Sequence, residues 1–247
     1  MSEKINTTKI VGIVGGLGPE ATARFFQLII ENTAASRDQD HLRIIIFNNP
    51  SIPDRTAAIL YQGESPLPAL RESLKFLEKA GAELAAIPCL TAHYYLDELK
   101  GTTRLQLVNL VEETGSYLKK LRPPVKKAGL LATEGTIATG LFRQPFQKKN
   151  IEVLNPSVSS QKKIMEAVYG EKGIKAGFKG ARPKRLLREA ATDLIKAGAQ
   201  AIIAGCTEVP LVLKPEELSV PLIDPLVIGA KAVIKKAGGR LKEDSAW

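Results

Sequence analysis

Short apolar runs rich in Val, Ile, Leu and Ala recur along the chain at 9–14, 42–48, 84–88, 106–109, 127–132, 151–154, 201–204 and 221–223. Between most of them lie longer stretches in which apolar residues return every three or four positions: 19–34, 65–80, 111–121, 140–149, 157–169 and 183–197. The first set has the length and β-branched content of strands, and the second has the period of amphipathic helices. Strands that alternate with helices predict βαβ units and parallel sheets, so the expected fold class is α/β.

The pattern also repeats. The segment Leu77-Glu-Lys-Ala-Gly-Ala-Glu-Leu-Ala-Ala-Ile-Pro-Cys89 aligns without a gap on Leu194-Ile-Lys-Ala-Gly-Ala-Gln-Ala-Ile-Ile-Ala-Gly-Cys206. Upstream, the opening run Ile10-Val-Gly-Ile-Val corresponds to Lys127-Ala-Gly-Leu-Leu. In both halves a helix ends in Ala-Gly-Ala, where Gly81 and Gly198 fit the left-handed cap position, and a strand then leads to a cysteine. The duplication predicts two lobes, 1–114 with 217–247 and 115–216, joined through the proline-rich Leu121-Arg-Pro-Pro-Val125. A last strand at 221–223 is expected to return to the first lobe. The residues from Gly238 onward are polar and expected to fray.

Composition narrows the class. The 247 residues are 44% hydrophobic and 25% charged, ordinary values for a globular protein with a substantial core. No apolar run reaches the length of a membrane span. The polar start, Met1-Ser-Glu-Lys, lacks the apolar region of a secretory leader, so a cytoplasmic location is expected. The net charge of +9 raises nucleic acid as a partner, through the basic stretch from Lys172 to Arg188. Aromatic content of 5% and the absence of a recognised module favour a solvated basic face instead. Neither nucleic acid nor membrane is expected as a partner.

Cys89 and Cys206 are the only cysteines, too few for a disulfide framework. Each is open to three readings: a small buried hydrophobe, half of one disulfide, or a reactive thiol where parallel strands end, the place at which open α/β sheets bind ligands. Equivalent positions in a repeat favour the third. Small polar residues follow both, in Cys89-Leu-Thr91-Ala-His93 and Cys206-Thr207-Glu208. Gly16-x-Gly18-x-x-Ala21 is a weak match to a dinucleotide fingerprint. The second strand ends in Asn48-Asn49, without the acid an NAD ribose needs, so a tight turn offering amides to a carboxylate is the better reading.

Taken in order, several strings carry a family likeness. They are Gly15-Gly-Leu-Gly-Pro19, Ile52-Pro-Asp-Arg55-Thr, Pro88-Cys89-x-Thr-Ala-His93, Thr133-Glu-Gly-Thr136, Tyr169-Gly followed by Ile174-Lys175-Ala-Gly177, and Gly205-Cys206-Thr-Glu208. Through them the chain resembles the PLP-independent aspartate/glutamate racemases over nearly its whole length. The resemblance implies two pseudo-symmetric Rossmann-like lobes with the active site in the cleft between them, in a homodimer. It implies racemisation of a small acidic amino acid without cofactor or metal: one cysteine, as thiolate, removes the α-proton, and the other, as thiol, protonates the opposite face. It places Arg55 and Lys175 on the side-chain carboxylate and Thr91, Thr133, Thr136 and Thr207 around the α-carboxylate, with His93 and Glu208 as candidates for tuning the thiols. Four of these also have a plainer reading: His93 as a packing residue, Glu208 as a turn cap, Arg55 as a partner of Asp54, Lys175 as part of the basic face.

One departure stands out. The family reads Pro-Cys-Asn-Thr at the first cysteine, and this chain has Leu90 in place of the asparagine. A lost amide donor is worth ~0.5–1.5 kcal/mol, so Leu90 is expected to weaken substrate binding or redirect substrate choice. The rival to an active racemase is therefore a catalytically weak protein of the same fold that binds a small carboxylate.

Overall fold

The computed structural model describes residues 8–243. Eight strands form two parallel four-stranded sheets. The first holds β1 (Val11–Gly15), β2 (Ile44–Asn48), β3 (Leu84–Ala86) and β4 (Gln106–Val108), in the order β2-β1-β3-β4. The second holds β5 (Lys127–Leu131), β6 (Glu152–Leu154), β7 (Ala201–Ala204) and β8 (Leu222–Ile223), in the order β6-β5-β7-β8. The two orders are the same, which is the duplication seen in the sequence written as topology. β1, β3 and β7 are wholly buried, as is β5 apart from Lys127, so both faces of each sheet centre are covered and the strands read as unbroken apolar runs.

The identities within the repeat have a packing cause. The helix Leu67–Lys79 and the helix Ala181–Lys196 place Leu77 and Leu194 against the middle of β1 and β5. A Cβ at Gly12 would lie 3.0 Å from Leu77 Cδ1 and 3.3 Å from the Ala82 Cβ. At Gly129 it would lie 2.9 Å from the Leu194 Cβ and 3.2 Å from the Ala199 Cβ. Helix and strand thus approach so closely that a side chain in place of the glycine would be crowded in each lobe. Gly81 and Gly198, with φ of 92° and 99°, take the left-handed conformation expected of them and turn the chain from helix into strand.

Three apolar clusters organise the interior. One lies on the outer face of each sheet, under the helix Leu67–Lys79 in the first lobe and under the helices Val158–Tyr169 and Ala181–Lys196 in the second. The third runs through both lobes and contains Phe25, Leu110, Leu130, Phe142, Ile203 and Val233. It is organised around the helix Pro225–Ala237, which packs on Pro19–Asn32 and Leu110–Lys120.

Several expectations need correction. The strand at 221–223 does not return to the first lobe: Leu222 and Ile223 pair with Ile202 and Ile203, in the second sheet. It is the following helix, Pro225–Ala237, that crosses back, and an apolar stretch read only for strands concealed it. The helix expected over 140–149 is shorter, Arg143–Gln147, and a separate short helix, Glu134–Ala138, precedes it across Gly140 at φ 63°. Chain beyond Gly238 is held in place, with Leu241 bridged to Thr33 and the Lys242 amide donating to the Asn32 carbonyl. The fraying expected of the last four residues lies outside the described region. Among the described residues no helix is long and apolar enough to cross a membrane.

Candidate active site

Both cysteines sit just past the C-terminal ends of central strands, Cys89 after β3 and Cys206 after β7. Both are buried and neither is bonded to the other, so the disulfide reading falls. They line one cavity between the lobes, together with Leu17, Arg55, Thr91 and Thr133. Tyr169, Lys175, Thr207 and Glu208 complete much of its wall. The space left for water inside is about 10 Å³, close to the least that holds a single molecule.

The Cys206 side is a chain of charge-assisted hydrogen bonds. Cys206 Sγ donates to Glu208 Oε2 at 2.8 Å, and Thr207 Oγ1 donates to the same oxygen at 3.1 Å. Lys175 Nζ donates to Glu208 Oε1 at 2.8 Å, with its ammonium 5.5 Å from the centre of the Tyr169 ring. Burial and then the neighbouring Glu208 carboxylate push the Cys206 thiol up, against the pull of Lys175. Burial also opposes ionisation of Glu208, but Lys175 and the Cys206 donor outweigh it and hold the carboxyl below its ordinary value. Lys175 is raised in turn, because Glu208 overcomes the cost of burying the ammonium. The triad is therefore thiol, carboxylate and ammonium.

The Cys89 side carries the other cation. Arg55 is 7% exposed and opens the helix Arg55–Leu60. Its Nη2 donates to the Leu17 carbonyl at 2.9 Å and its Nη1 to the Pro53 carbonyl at 3.1 Å, while Nε has no protein partner. Burial works against its charge, but Cys89 and Asp54 more than compensate and raise it. Asp54 itself caps that helix through the Ala57 amide and accepts from the Tyr169 hydroxyl at 3.0 Å, so the simple Arg55–Asp54 pairing is not what fixes the arginine.

Hydroxyls close the remaining wall. Thr91 Oγ1 lies 2.9 Å from Thr136 Oγ1 and 3.3 Å from Thr133 Oγ1. Thr56 Oγ1 donates to Thr133 Oγ1 at 3.4 Å. Thr56 and Thr91 come from the first lobe and Thr133 and Thr136 from the second, so the cluster stitches the cleft.

His93 belongs to the support beneath the site. The Leu110 amide donates to its Nε2 at 3.1 Å, which places the ring proton on Nδ1, 3.0 Å from the Cys89 carbonyl. Full burial lowers its pKa to about 4, so the ring is neutral. It ties the end of β3 to the start of the helix Leu110–Lys120 and sets the backbone of Cys89, the packing alternative for this residue. Glu208, by contrast, is a direct partner of a thiol rather than a turn cap.

Of the residues expected at the site, Cys89, Cys206, Arg55, Thr91, Thr133, Lys175, Thr207 and Glu208 share the cavity wall. Thr136 reaches it through Thr91, and His93 lies behind it. Sequence reasoning assigned no role to Leu17, Thr56 and Tyr169, although all three stand inside the strings that carry the family likeness. Thr56 follows Arg55 in the Ile52-Pro-Asp-Arg-Thr string and Tyr169 ends a helix just before the Lys175 loop; their neighbours in sequence were the available signal. The Gly16–Gly18 turn is tight, as expected, but the Gly16 amide donates to Thr22 Oγ1 at 3.0 Å. Of the basic stretch, Lys175 is inside the site; Arg182, Lys184 and Arg185 pair with Glu166, Glu217 and Glu189, and Lys179 pairs with Glu20. Among the described residues no group of three or more His, Cys, Asp or Glu side chains is arranged to hold a metal ion.

Two like lobes of an α/β fold thus bring a pair of unbonded thiols to one cavity. The chain belongs to the Asp/Glu/hydantoin racemase family, whose pattern matches residues 14–233. Among solved structures it is similar to the aspartate racemase of Picrophilus torridus, with a TM-score of 0.81 and 32% identity over 96% of this chain and 97% of that one. It is also similar to an aspartate racemase homologue from Pyrococcus horikoshii OT3, with a TM-score of 0.74 and 25% identity over 93% of this chain and 99% of that one. Among characterised sequences it is 26% identical to the broad specificity amino-acid racemase RacX of Bacillus subtilis (strain 168), over 91% of this chain and 96% of that protein.

Proposed function

We propose that this racemase interconverts L- and D-aspartate, with glutamate the next candidate, by a two-base reaction of Cys89 and Cys206 that uses no cofactor. The observation that carries the reading is the pair of free thiols at equivalent strand ends, facing one cavity from opposite lobes. An α-proton held between two such groups can be taken from one face and replaced from the other. The α-carbon acidity this demands comes from donors aimed at the α-carboxylate, where negative charge develops; Thr91, Thr133, Thr136 and Thr207 supply hydroxyls for it. Arg55 balances charge when Cys89 is thiolate, and Lys175 reads the acidic side chain. The homologous aspartate racemase from Picrophilus supports aspartate as the substrate, and the RacX likeness supports tolerance of other side chains.

The test is chiral chromatography of aspartate incubated with the reduced protein. The expected outcome is approach to equal L and D from either enantiomer, and loss of at least about 10³-fold in rate in Cys89→Ala and in Cys206→Ala. Racemisation that survives either substitution would refute the two-thiol assignment. A homodimer is part of the same reading, and sedimentation should give twice the mass of the chain.

A further inference from the structure

Two cavities meet at one ion pair. The inner space between the thiols has room for about one water, about 10 Å³. An outer cavity of about 260 Å³ lies beside the turn that begins the helix Pro19–Asn32. Leu17, Arg55, Lys175 and Glu208 line both, so the Lys175–Glu208 pair forms part of the partition. The inner space is too small for an amino acid, and the pair is part of what closes it off from the outer cavity.

Glu208 also has two jobs at once. One oxygen accepts from Lys175 and the other from the Cys206 thiol, each at 2.8 Å. Besides these two groups, Thr207 donates to Oε2, Arg55 shares the cavity wall, and the turn at Gly18 brings the start of the helix Pro19–Asn32 close to Oε1, where an added Cβ would lie 3.2 Å away.

We infer that Glu208 is the internal proton acceptor for Cys206, and that the substrate's acidic side chain switches it on by taking Lys175. This rests on the racemase reading above and names what makes that site respond to acidic side chains. Lys175 is hydrogen-bonded to Glu208 and meets Cys206 only across that carboxylate, so drawing the ammonium toward a second carboxylate raises the proton affinity of Glu208 more than that of the thiol. The nearest proton is on Cys206. The S–H bond breaks with its electron pair left on sulfur, and an O–H bond forms on Glu208. The Cys206 thiolate then takes the α-hydrogen as a proton, and the Cys89 thiol gives its proton to the opposite face, leaving thiolate at Cys89 beside Arg55. When product leaves, Lys175 returns to Glu208, whose proton passes to solvent, and Cys89 takes one from solvent. A neutral side chain such as that of asparagine leaves the Lys175–Glu208 pair intact and Cys206 protonated. Preference for acidic substrates thus lies in the proton transfer as well as in binding.

The experiment uses Cys89→Ala, which leaves Cys206 as the only thiol, and succinate, a dicarboxylate without the reacting amino-acid centre. Calorimetry measures binding, and thiolate ultraviolet absorbance at neutral pH reads Cys206. Succinate should raise the thiolate signal by at least about threefold, butyrate should leave it unchanged, and the rise should vanish in Cys89→Ala/Glu208→Gln. Glu208→Asp, which keeps a carboxylate, should restore part of it and shows that loss in the Gln variant is not misfolding. The inference is overturned if succinate does not bind, if it binds without raising thiolate, or if the rise persists with Gln at 208. Aspartate racemisation by the unsubstituted protein is scored separately: a working racemase without the succinate response removes this inference and leaves the proposed function standing.

Discussion

At the residue scale the candidate site divides into groups proposed to act and groups that hold them. His93 is of the second kind and gives a pH signature. Unfolded, its imidazole takes a proton near pH 6.5; folded, it does so only near 4. Between those values the unfolded chain binds more protons, so stability is full above about 6.5 and falls as the pH drops, with a limiting slope of ~1.4 kcal/mol per pH unit. Urea titrations at pH 7 and pH 5 should show the loss, and His93→Gln should show much less of it. An equal loss in the variant would assign the effect elsewhere. Leu90 is a second instructive position. It lines the cavity but is 2% exposed and belongs to the apolar cluster that runs through both lobes. Leu90→Asn therefore introduces a buried amide at about 1–3 kcal/mol, and a lower Michaelis constant for aspartate, the outcome expected of a restored donor, should come with a lower denaturation midpoint. An unchanged Michaelis constant would show that Leu90 is only a core residue. The cysteines, Arg55 and Lys175 were legible from the string of motifs. The partnerships were not: nothing in Gly-Cys-Thr-Glu says that the glutamate accepts from both the thiol two positions back and a lysine 33 residues away.

At the scale of elements, all eight strands were legible, because a buried parallel strand is a short apolar run whatever its surroundings. Partnership was harder to read, and β8 shows why. Two residues of strand carry too little pattern to choose between sheets, so the choice rests on the pairing of Ile202 and Ile203 with it. The helix Pro225–Ala237 was concealed for a related reason: it is buried on nearly all sides, so its apolar residues show no amphipathic stripe. Its terminal signals were present, with Asp224 as cap, Pro225 at the first position and Gly238 beyond the end. Asp224 accepts from the Leu226 amide at 2.9 Å and from Arg24 Nη2 at 2.5 Å. Asp224→Ala removes both a helix cap and a partly buried ion pair, and should lower unfolding free energy by about 1–3 kcal/mol; a change within ~0.5 kcal/mol would deny the aspartate that role. Gly129→Ala should cost about 1–3 kcal/mol by overpacking β5 against Leu194 and Ile202, with Ile202→Val, which removes the Cδ1 that would lie 2.8 Å from the new methyl, recovering part of it in the double variant. Additive losses would contradict the close-approach account of the repeat.

At the scale of the whole molecule, duplication is what makes the proposed chemistry available. One lobe presents a single thiol at the end of a parallel strand; two lobes of the same order, 2-1-3-4 and 6-5-7-8, present two across a cleft. The halves are held by the shared apolar cluster and by the helix that crosses back, while the threonine cluster and the Tyr169–Asp54 hydrogen bond close the cleft above. The likeness between halves ends at the thiols, since Cys206 is bonded to a carboxylate and Cys89 stands beside a guanidinium. In the proposed two-thiol reaction both groups nevertheless serve in turn, because a racemase runs in both directions.

Deuterium labelling at low conversion tests that claim most directly. L-Aspartate is incubated with the reduced protein in D₂O, the reaction is stopped early, and the α-deuterium of each enantiomer is measured. Two thiols acting from opposite faces predict D-aspartate that carries deuterium and recovered L-aspartate that still carries hydrogen, with the converse pattern from D-aspartate. Deuterium entering the recovered starting enantiomer as fast as the product would mean that one group serves both faces, and would contradict the account.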